Sequence, residues 1–554
     1  MRQGLRAWAT KHGDWLFWSA LVVFWFATLG ERALIHPDEG RYAELSLGML
    51  QSGDWVTPRL NGFLYFEKPA LQYWMGAASF LVFGVNEFAA RFWPALTGLL
   101  SVLAVGLTAR RLWGDGTYAA LALAGSVWTI ANSHFLTLDM GVTFFLTVTL
   151  CGFLWANDAT ATARESRYAM WLTWAAMALA TLSKGLIGVL IPGAVLVLYS
   201  LINWQWAYWR RLQWLPGIAL FALIAAPWFI VVSARNPGFA QFFFIHEHFD
   251  RFLSTVHRRD EPWWFFIPFL LVGLLPWTTL LPRLLREGWA RRPGTFQPQR
   301  LLLVWVVFVF VFFSKSNSKL PSYILPMFPA LALLLGQTLA RLRAAELRKH
   351  LLLPTLLWAL LACAYPFVER FASESTPLAV VRHLAGYLTV GGVVFVGCAL
   401  LAWRCLARED ERNVRNVRAA LMLLVAANVW GVSLAAIGHD AFGQLKSSKA
   451  VVAQVGHRLP PGAPVFSVRS YEQTFPFYLR RPVILVDYVD EFAYGQAAEP
   501  GRAIATLDEF VARWQSAPQA MAMLDAATFD ELRAQGVAMQ AVYRDARRLV
   551  VVKP

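Results

Sequence analysis

The chain has 554 residues, of which 57% are hydrophobic and only 15% charged, with a formal net charge of +15. A soluble domain carries roughly 45–50% apolar and about 25% charged residues, so composition excludes a soluble globular protein. It also excludes nucleic acid as the reason for the basic balance, because much of the Lys and Arg lies in short loops between apolar runs, where cations orient a membrane protein and meet anionic headgroups.

In chain order, Arg2, Arg6 and Lys11 precede an apolar run over 15–29 that is rich in Trp and Phe and has no small-residue cleavage site. This predicts an uncleaved first span rather than a removed signal peptide. Apolar runs long enough to cross a hydrocarbon core of about 30 Å then recur. The predicted spans are 14–31, 86–108, 116–135, 138–156, 168–183, 185–203, 212–233, 263–281, 300–314, 323–341, 350–367, 384–403 and 418–438. The interrupted stretch 69–84 is placed on the membrane surface. With the N-terminus cytoplasmic, cytoplasmic loops hold roughly 23 Lys and Arg against roughly 13 outside. The odd span count puts the C-terminal segment outside. Cys151, Cys363, Cys398 and Cys405 match neither a zinc site nor a disulfide framework and are expected to be packing residues.

Residues 1–438 are therefore expected to be a transmembrane domain, with 31–85 as an outer loop carrying juxtamembrane helices. Residues 439–554 are expected to be a small α/β domain on the outer side, the periplasmic side if the chain is bacterial. There "PVFSV" and "PVILV" predict strands, "TLDEFVARWQ" and "TFDELRAQG" predict amphipathic helices each opened by a capping Thr, and "RRLVVVKP" predicts a closing strand.

The outer loops collect acids, histidines, lysines and tyrosines, whereas the inner loops carry mainly Arg. Ionisable groups at membrane edges that do not merely orient the chain are functional candidates. Asp38 and Glu39 follow Pro37 and open a short helix through "RYAELSLGML"; from spacing alone Asp38 is a site carboxylate or a helix cap. Arg41 lies on the same helix, and Tyr65, Glu67 and Lys68 follow. Asp139, in "SHFLTLDMGVTFF", opens the fourth span, where capping is again the alternative. Lys184, in "TLSKGLIG", sits at an outer turn, with snorkelling as the alternative. The next outer loop holds His246, His248 and Arg251, and "SKSNSKLPSYILP" holds Lys315, Lys319 and Tyr323. His246 and His248 do not form the HExxH zinc motif.

These groups suit transfer of a sugar from a polyprenyl phosphate. Cations would stabilise the leaving phosphate as its charge grows. A carboxylate would activate the acceptor or stabilise an oxocarbenium-like carbon. Arg41, Lys68, Arg251 and Lys319 are the cation candidates, and Asp38 and Asp139 the carboxylates. A divalent ion held by Glu67 and His248 would assist the leaving group.

"HPDEGRYAE", "SGDW", "YFEKPALQYW", "LTLD", "SKG", "EHFDRF" and "SKLPSYILP" resemble the bacterial 4-amino-4-deoxy-L-arabinose transferases, members of the wider GT-C group related to protein O-mannosyltransferases. The resemblance covers 15–341 well and is weakest in the C-terminal domain. It implies a polytopic α-helical GT-C fold of about thirteen transmembrane helices. It also implies inverting transfer of aminoarabinose from undecaprenyl phosphate to lipid A phosphate at the periplasmic face of the inner membrane, with polymyxin resistance as the outcome. By resemblance Asp38 and Asp139 match the acidic residues of the first two outer loops. Glu67 and Lys68 match a loop pair, and His248, Arg251, Lys319 and Tyr323 match the later motifs. Arg41, Tyr65 and Lys184 complete the substrate- and phosphate-binding set. A related polyprenyl-phosphate-sugar transferase with another sugar, a protein or a glycan acceptor is the competing reading. A lipid-linked sugar transporter is disfavoured by the absence of an inverted repeat and by polar residues confined to one face.

Overall fold

The computed structural model describes residues 2–250, 261–290, 296–373, 376–407, 413–458, 460 and 462–554, with side chains described except at 2–13, 248–250 and 413–415. His248 and Arg251 therefore fall outside the described side chains. The chain divides into two compact units. The first comprises Met1–Leu29, Arg91–Ala372 and Val381–His439; the second comprises Gly30–Ala90, Ser373–Val380 and Asp440–Pro554.

The first unit is helical. Among the described residues of the chain, seven helices are long and apolar enough to cross a membrane, or nine if each of two bent pairs is one span. The apolar runs are all helical, but several are broken where sequence hydropathy reads as continuous. The run 116–135 splits at Gly125 into the helices Thr117–Ala124 and Val127–Ser133. The run 263–281 bends by 108° between Phe266–Gly273 and Thr278–Trp289, across Pro276.

A break inside a membrane frees backbone groups that must find partners in the protein. These two breaks largely serve each other. The Val127 N–H donates to the Leu275 carbonyl at 3.1 Å. Trp277 Nε1 donates to the Ala122 carbonyl at 2.9 Å, and Asn428 Nδ2 to the Gly125 carbonyl at 2.8 Å. Arg91, with no exposed surface, donates from Nη1 to the Leu29 carbonyl at 3.0 Å and closes the end of the first helix. Small residues let helices approach closely: a Cβ on Gly336 would lie 2.6 Å from that of Ala119. Of the four cysteines expected to pack, only Cys151 is buried; Cys363 and Cys405 lie on exposed helix faces and Cys398 is half-buried.

The second unit contains the helix Asp38–Ser52, a two-stranded hairpin, the helix Leu71–Phe83 and a five-stranded sheet. In the hairpin, β1 (Arg59–Leu60) and β2 (Phe63–Leu64) are joined by Asn61 and Gly62, both at positive φ, as a tight two-residue turn requires. Leu71–Phe83 has 13 residues. At ~1.5 Å rise per residue it is shorter than the ~30 Å hydrocarbon core.

The five-stranded sheet is built from β3 (Val465–Val468), β4 (Ile484–Val486), β5 (Met521–Leu524), β6 (Gln540–Arg544) and β7 (Leu549–Val552), in the order β4-β3-β5-β7-β6. β3 runs parallel to β4 and β5, while β7 is antiparallel to β5 and β6. Phe466, Phe510 and Trp514 fill its core. Thr506 caps the helix Leu507–Ser516, accepting from the Glu509 N–H, as its sequence predicts. The helix Ala526–Ala534 is capped instead by Asp525, which accepts from the Thr528 N–H at 2.7 Å. Thr528 therefore lies inside the helix, because the carboxylate three residues earlier is the better-placed acceptor.

Candidate active site

The candidate side chains form two groups, one in each unit. In the second unit the helix Asp38–Ser52 follows Pro37, has Asp38 and Glu39 in its first turn where acids meet the positive helix end, and stops at Gly53 in the left-handed conformation. Asp38, Arg41 and Glu44 recur every three residues and so share a face. Glu39 Oε2 accepts from the Ile35 N–H at 3.2 Å, whereas Asp38 makes no capping bond. Asp38 Oδ1 instead takes Arg41 Nη1 at 2.8 Å. On the other side of the guanidinium, Nε donates to Glu491 Oε2 at 2.6 Å, and Gln473 Nε2 donates to the second Glu491 oxygen at 2.7 Å. Burial pushes the Glu491 carboxyl up, and Arg41 and Gln473 draw it back. Arg41 is thus clamped between two carboxylates through Nε and Nη1, leaving its Nη2 N–H groups directed by that clamp.

Beneath this pair Glu44 is buried. Its carboxyl accepts from the Asn61 N–H at 2.6 Å and is bonded by the Tyr471 hydroxyl. Burial pushes it up to about 8, against those two hydrogen bonds. Tyr65 is also buried, and burial followed by the neighbouring Glu67 carboxylate pushes its hydroxyl well up. Lys68 Nζ donates to the Glu67 carbonyl at 2.6 Å, and both side chains are half-buried.

In the first unit Asp139 opens the helix Asp139–Ala156 without a side-chain capping bond. Its Oδ1 is paired with Lys184 Nζ, and its Oδ2 accepts from the Ser322 hydroxyl at 2.7 Å. Lys184 ends the helix Ala163–Lys184, where a cation suits the negative helix end, and its Nζ stands 4.5 Å from the centre of the Tyr323 ring. Capping at Asp139 and snorkelling at Lys184 are both replaced by this four-residue group. Lys319, 7% exposed, donates from Nζ to the Glu261 carbonyl at 2.7 Å. His246 stacks on Phe242 at 5.3 Å within Gln241–Asp250.

Sequence reasoning missed Glu44, Gln473, Glu491 and Ser322. Ser322 lies inside the quoted "SKLPSYILP" motif, and the three-residue spacing from Asp38 and Arg41 points to Glu44. Nothing local marks Glu491 or Gln473. For the divalent ion expected at Glu67 and His248, no group of three His, Cys, Asp or Glu side chains that could hold a metal occurs among the described residues. Glu67 is described without such a group, and the His248 side chain lies outside the described set.

A family model described as the aminoarabinose transferase C-terminal domain matches residues 451–553, and one described as dolichyl-phosphate-mannose-protein mannosyltransferase matches residues 16–243. The undecaprenyl phosphate-alpha-4-amino-4-deoxy-L-arabinose arabinosyl transferase of Pseudomonas paraeruginosa is 38% identical over 407 residues, covering 70% of this chain and 72% of the relative. The crystal structure of ArnT from Cupriavidus metallidurans bound to undecaprenyl phosphate is 36% identical, covers 98% of both chains and superposes with a TM-score of 0.92. The archaeal oligosaccharyltransferase AglB of Archaeoglobus fulgidus, 15% identical with a TM-score of 0.50 over 92% of this chain and 70% of its own, shares the fold alone.

Proposed function

We propose a function on one premise: the chain belongs to the undecaprenyl phosphate-aminoarabinose arabinosyl transferase family. It is a multi-pass membrane glycosyltransferase with a GT-C fold that moves 4-amino-4-deoxy-L-arabinose from undecaprenyl phosphate. The observation that carries this reading is the match, along 98% of both chains, to a structure holding undecaprenyl phosphate.

In our reading the acceptor is a phosphate of lipid A and the reaction faces the periplasm of a bacterial inner membrane. Residues 1–438 form the catalytic membrane domain with about thirteen spans, and residues 439–554 the periplasmic domain. An acceptor phosphate oxygen bonds to the sugar C1 as the C1–O bond to undecaprenyl phosphate breaks. The departing oxygen keeps the electron pair, and a single displacement inverts C1. The acceptor is already largely anionic near neutral pH, so it needs no strong general base. Asp38 then acts by orienting Arg41, and Asp139, fixed by Lys184 and Ser322, meets positive charge developing at the sugar. Arg41, Lys68, Arg251 and Lys319 are the assigned partners of the leaving phosphate, with Tyr65 and Tyr323 as walls of the substrate site. A divalent ion at Glu67 and His248 remains a separate proposal, and no step above depends on it. The product carries a new ammonium, which lowers surface negative charge and weakens attraction of cationic peptides such as polymyxin.

The test is a transfer assay with the purified full chain, undecaprenyl-phosphate-aminoarabinose and either lipid A or a Ser/Thr peptide, with and without chelator. Lipid A gains the mass of one aminoarabinose. Transfer to peptide alone, the chemistry of the family that matches residues 16–243, would replace lipid A as the acceptor. Movement of intact donor across a vesicle without transfer would make the protein a transporter. Loss of turnover on chelation would support the ion at Glu67 and His248, and full turnover in chelator would remove it.

A further inference from the structure

Away from the functional side chains, the first unit contains a cleft of about 650 Å³ with a clear division of character. Its wall is apolar: Trp18 and Val22 from the first helix face Leu99, Leu103 and Leu107 from the helix Glu87–Trp113. Its floor is closed by backbone, because a Cβ on Gly116 would lie 2.0 Å from the Gly106 carbonyl oxygen. One end is polar, where Arg110, Asp115 and Arg418 line it. Leu99 to Arg110 is eleven residues, which at ~1.5 Å per residue spans about 17 Å. One leaflet of a ~30 Å hydrocarbon core has nearly the same depth. The cleft therefore has the length of one acyl chain and the polarity of one lipid.

The polar end carries both signs. Arg110 is exposed. Arg418 donates from Nη2 to Thr117 Oγ1 at 2.9 Å and pairs with Asp14, yet its Nε is buried with no hydrogen-bond partner among the described residues. A buried, unpartnered charged donor costs free energy unless a ligand meets it. Asp115 is exposed and uses Oδ1 to accept from the Thr117 N–H at 2.7 Å, which leaves Oδ2 for another donor. Among the described side chains, this end also has Arg111, paired with Asp158 at 3.3 Å and Glu165 at 3.5 Å. These described groups set Asp14, Asp115, Asp158 and Glu165 against Arg110, Arg111 and Arg418, which disfavours a purely anionic headgroup.

We propose that this cleft binds one phospholipid whose headgroup joins a phosphate to a primary ammonium, a phosphatidylethanolamine. The phosphate lies on Arg110 and Arg418, the ammonium donates to Asp115, and one acyl chain runs along Leu107, Leu103 and Leu99. Hydrogen-bond donation to Asp115 distinguishes a primary ammonium from a quaternary one, and charge balance distinguishes it from phosphatidylglycerol. This site is separate from donor and acceptor chemistry, so its failure would leave the transferase reading standing.

The experiment is native mass spectrometry of the delipidated full chain titrated with phosphatidylethanolamine, phosphatidylcholine, phosphatidylglycerol and undecaprenyl phosphate. One phosphatidylethanolamine should bind ahead of the others. Arg110→Gln should weaken that binding about tenfold, the loss of one hydrogen bond to a charged group. Asp115→Asn, which keeps the acceptor for Thr117, should erase the preference over phosphatidylcholine. Leu103→Trp, which fills the apolar wall, should reduce binding without changing transfer activity, and that activity serves as the folding control. Equal uptake of all phospholipids, preference for phosphatidylglycerol or undecaprenyl phosphate, or unchanged binding in both Arg110→Gln and Leu103→Trp would overturn the proposal.

Discussion

Lys184 and Asp139 lie 45 positions apart, and their pairing decides what either can do. Their side chains are only 14% and 11% exposed, so removing one partner leaves a poorly solvated charge on the other. We expect Lys184→Gln and Asp139→Asn each to lower kcat by about 10²-fold, as loss of one preorganised electrostatic group does. In the double variant the two losses should fall short of adding by more than about 1 kcal/mol of coupling. Additive losses in steady-state kinetics would mean that the residues act independently. The pair was legible in sequence as two candidates at outer helix ends. Its third member was not, because Ser322 reaches Asp139 across 183 positions and only the closed helix packing brings it there.

Glu44 gives a second test at this scale, now of stability against pH. Its folded carboxyl stands at about 8, above the ordinary value of 4.5. Between those values the folded state holds a proton that the unfolded state has released, so unfolding stability falls as pH rises from about 4.5 to 8 and levels above that. Glu44→Gln, which mimics the protonated form, should flatten this fall by up to a few kcal/mol, on the order set by ~1.4 kcal/mol per unit. Melting midpoints measured from pH 5 to 8.5 check it. A slope identical to that of the parent protein would place the titration elsewhere.

Elements add what single residues cannot. The helix Asp38–Ser52 presents Asp38, Arg41 and Glu44 on one face, and that face could be read from the three-residue spacing. The clamp on Arg41 could not, since Glu491 is 450 positions away in a segment whose local pattern says only strand and helix. The consequence is that residues following β4 fix the guanidinium of Arg41, the proposed phosphate partner. Glu491→Gln should therefore cost about 1.5–3 kcal/mol in kcat/KM, the worth of a hydrogen bond to a charged group. Most of this loss should fall in donor KM if Arg41 holds the ground-state phosphate, and in kcat if it meets only the leaving group. An unchanged kcat/KM in a folded variant would show that Arg41 needs no aiming.

The broken helices teach a related limit. Hydropathy sums apolar length along a chain and is blind to axis direction. The run across Pro276 therefore reads as one span, although it turns by 108°. Gly125 reads as an ordinary small residue, although its carbonyl is claimed by Asn428 from 303 positions away. The Asn61-Gly62 hairpin escaped because its strands have two residues each, and β5 because Met-Ala-Met-Leu, buried throughout, neither alternates nor favours a strand.

At the scale of the whole molecule the open quantity is parity, because one extra crossing would reverse every loop that follows it. The expected parity rests on Leu71–Phe83: thirteen residues reach about 20 Å, too little for a ~30 Å core. Charge agrees, since Arg110, Arg111, Arg210, Arg211, Arg283 and Arg286 then share the cytoplasmic side with the N-terminus. In the proposed orientation the C-terminal domain and the loop carrying Asp38 face the opposite side, that of the proposed lipid-linked donor. Ala512 and Ala290 are exposed and lie on opposite predicted sides. In a chain with its native cysteines replaced by serine, Ala512→Cys should react with a membrane-impermeant maleimide in intact spheroplasts. Ala290→Cys should react only after the membrane is opened. The reverse pattern would make Leu71–Phe83 a crossing element and turn Asp139 and every later loop about, leaving Asp38, which precedes it, on its original side. Labelling of both sites in intact spheroplasts would require an even number of crossings between them and a different partition of the broken helices.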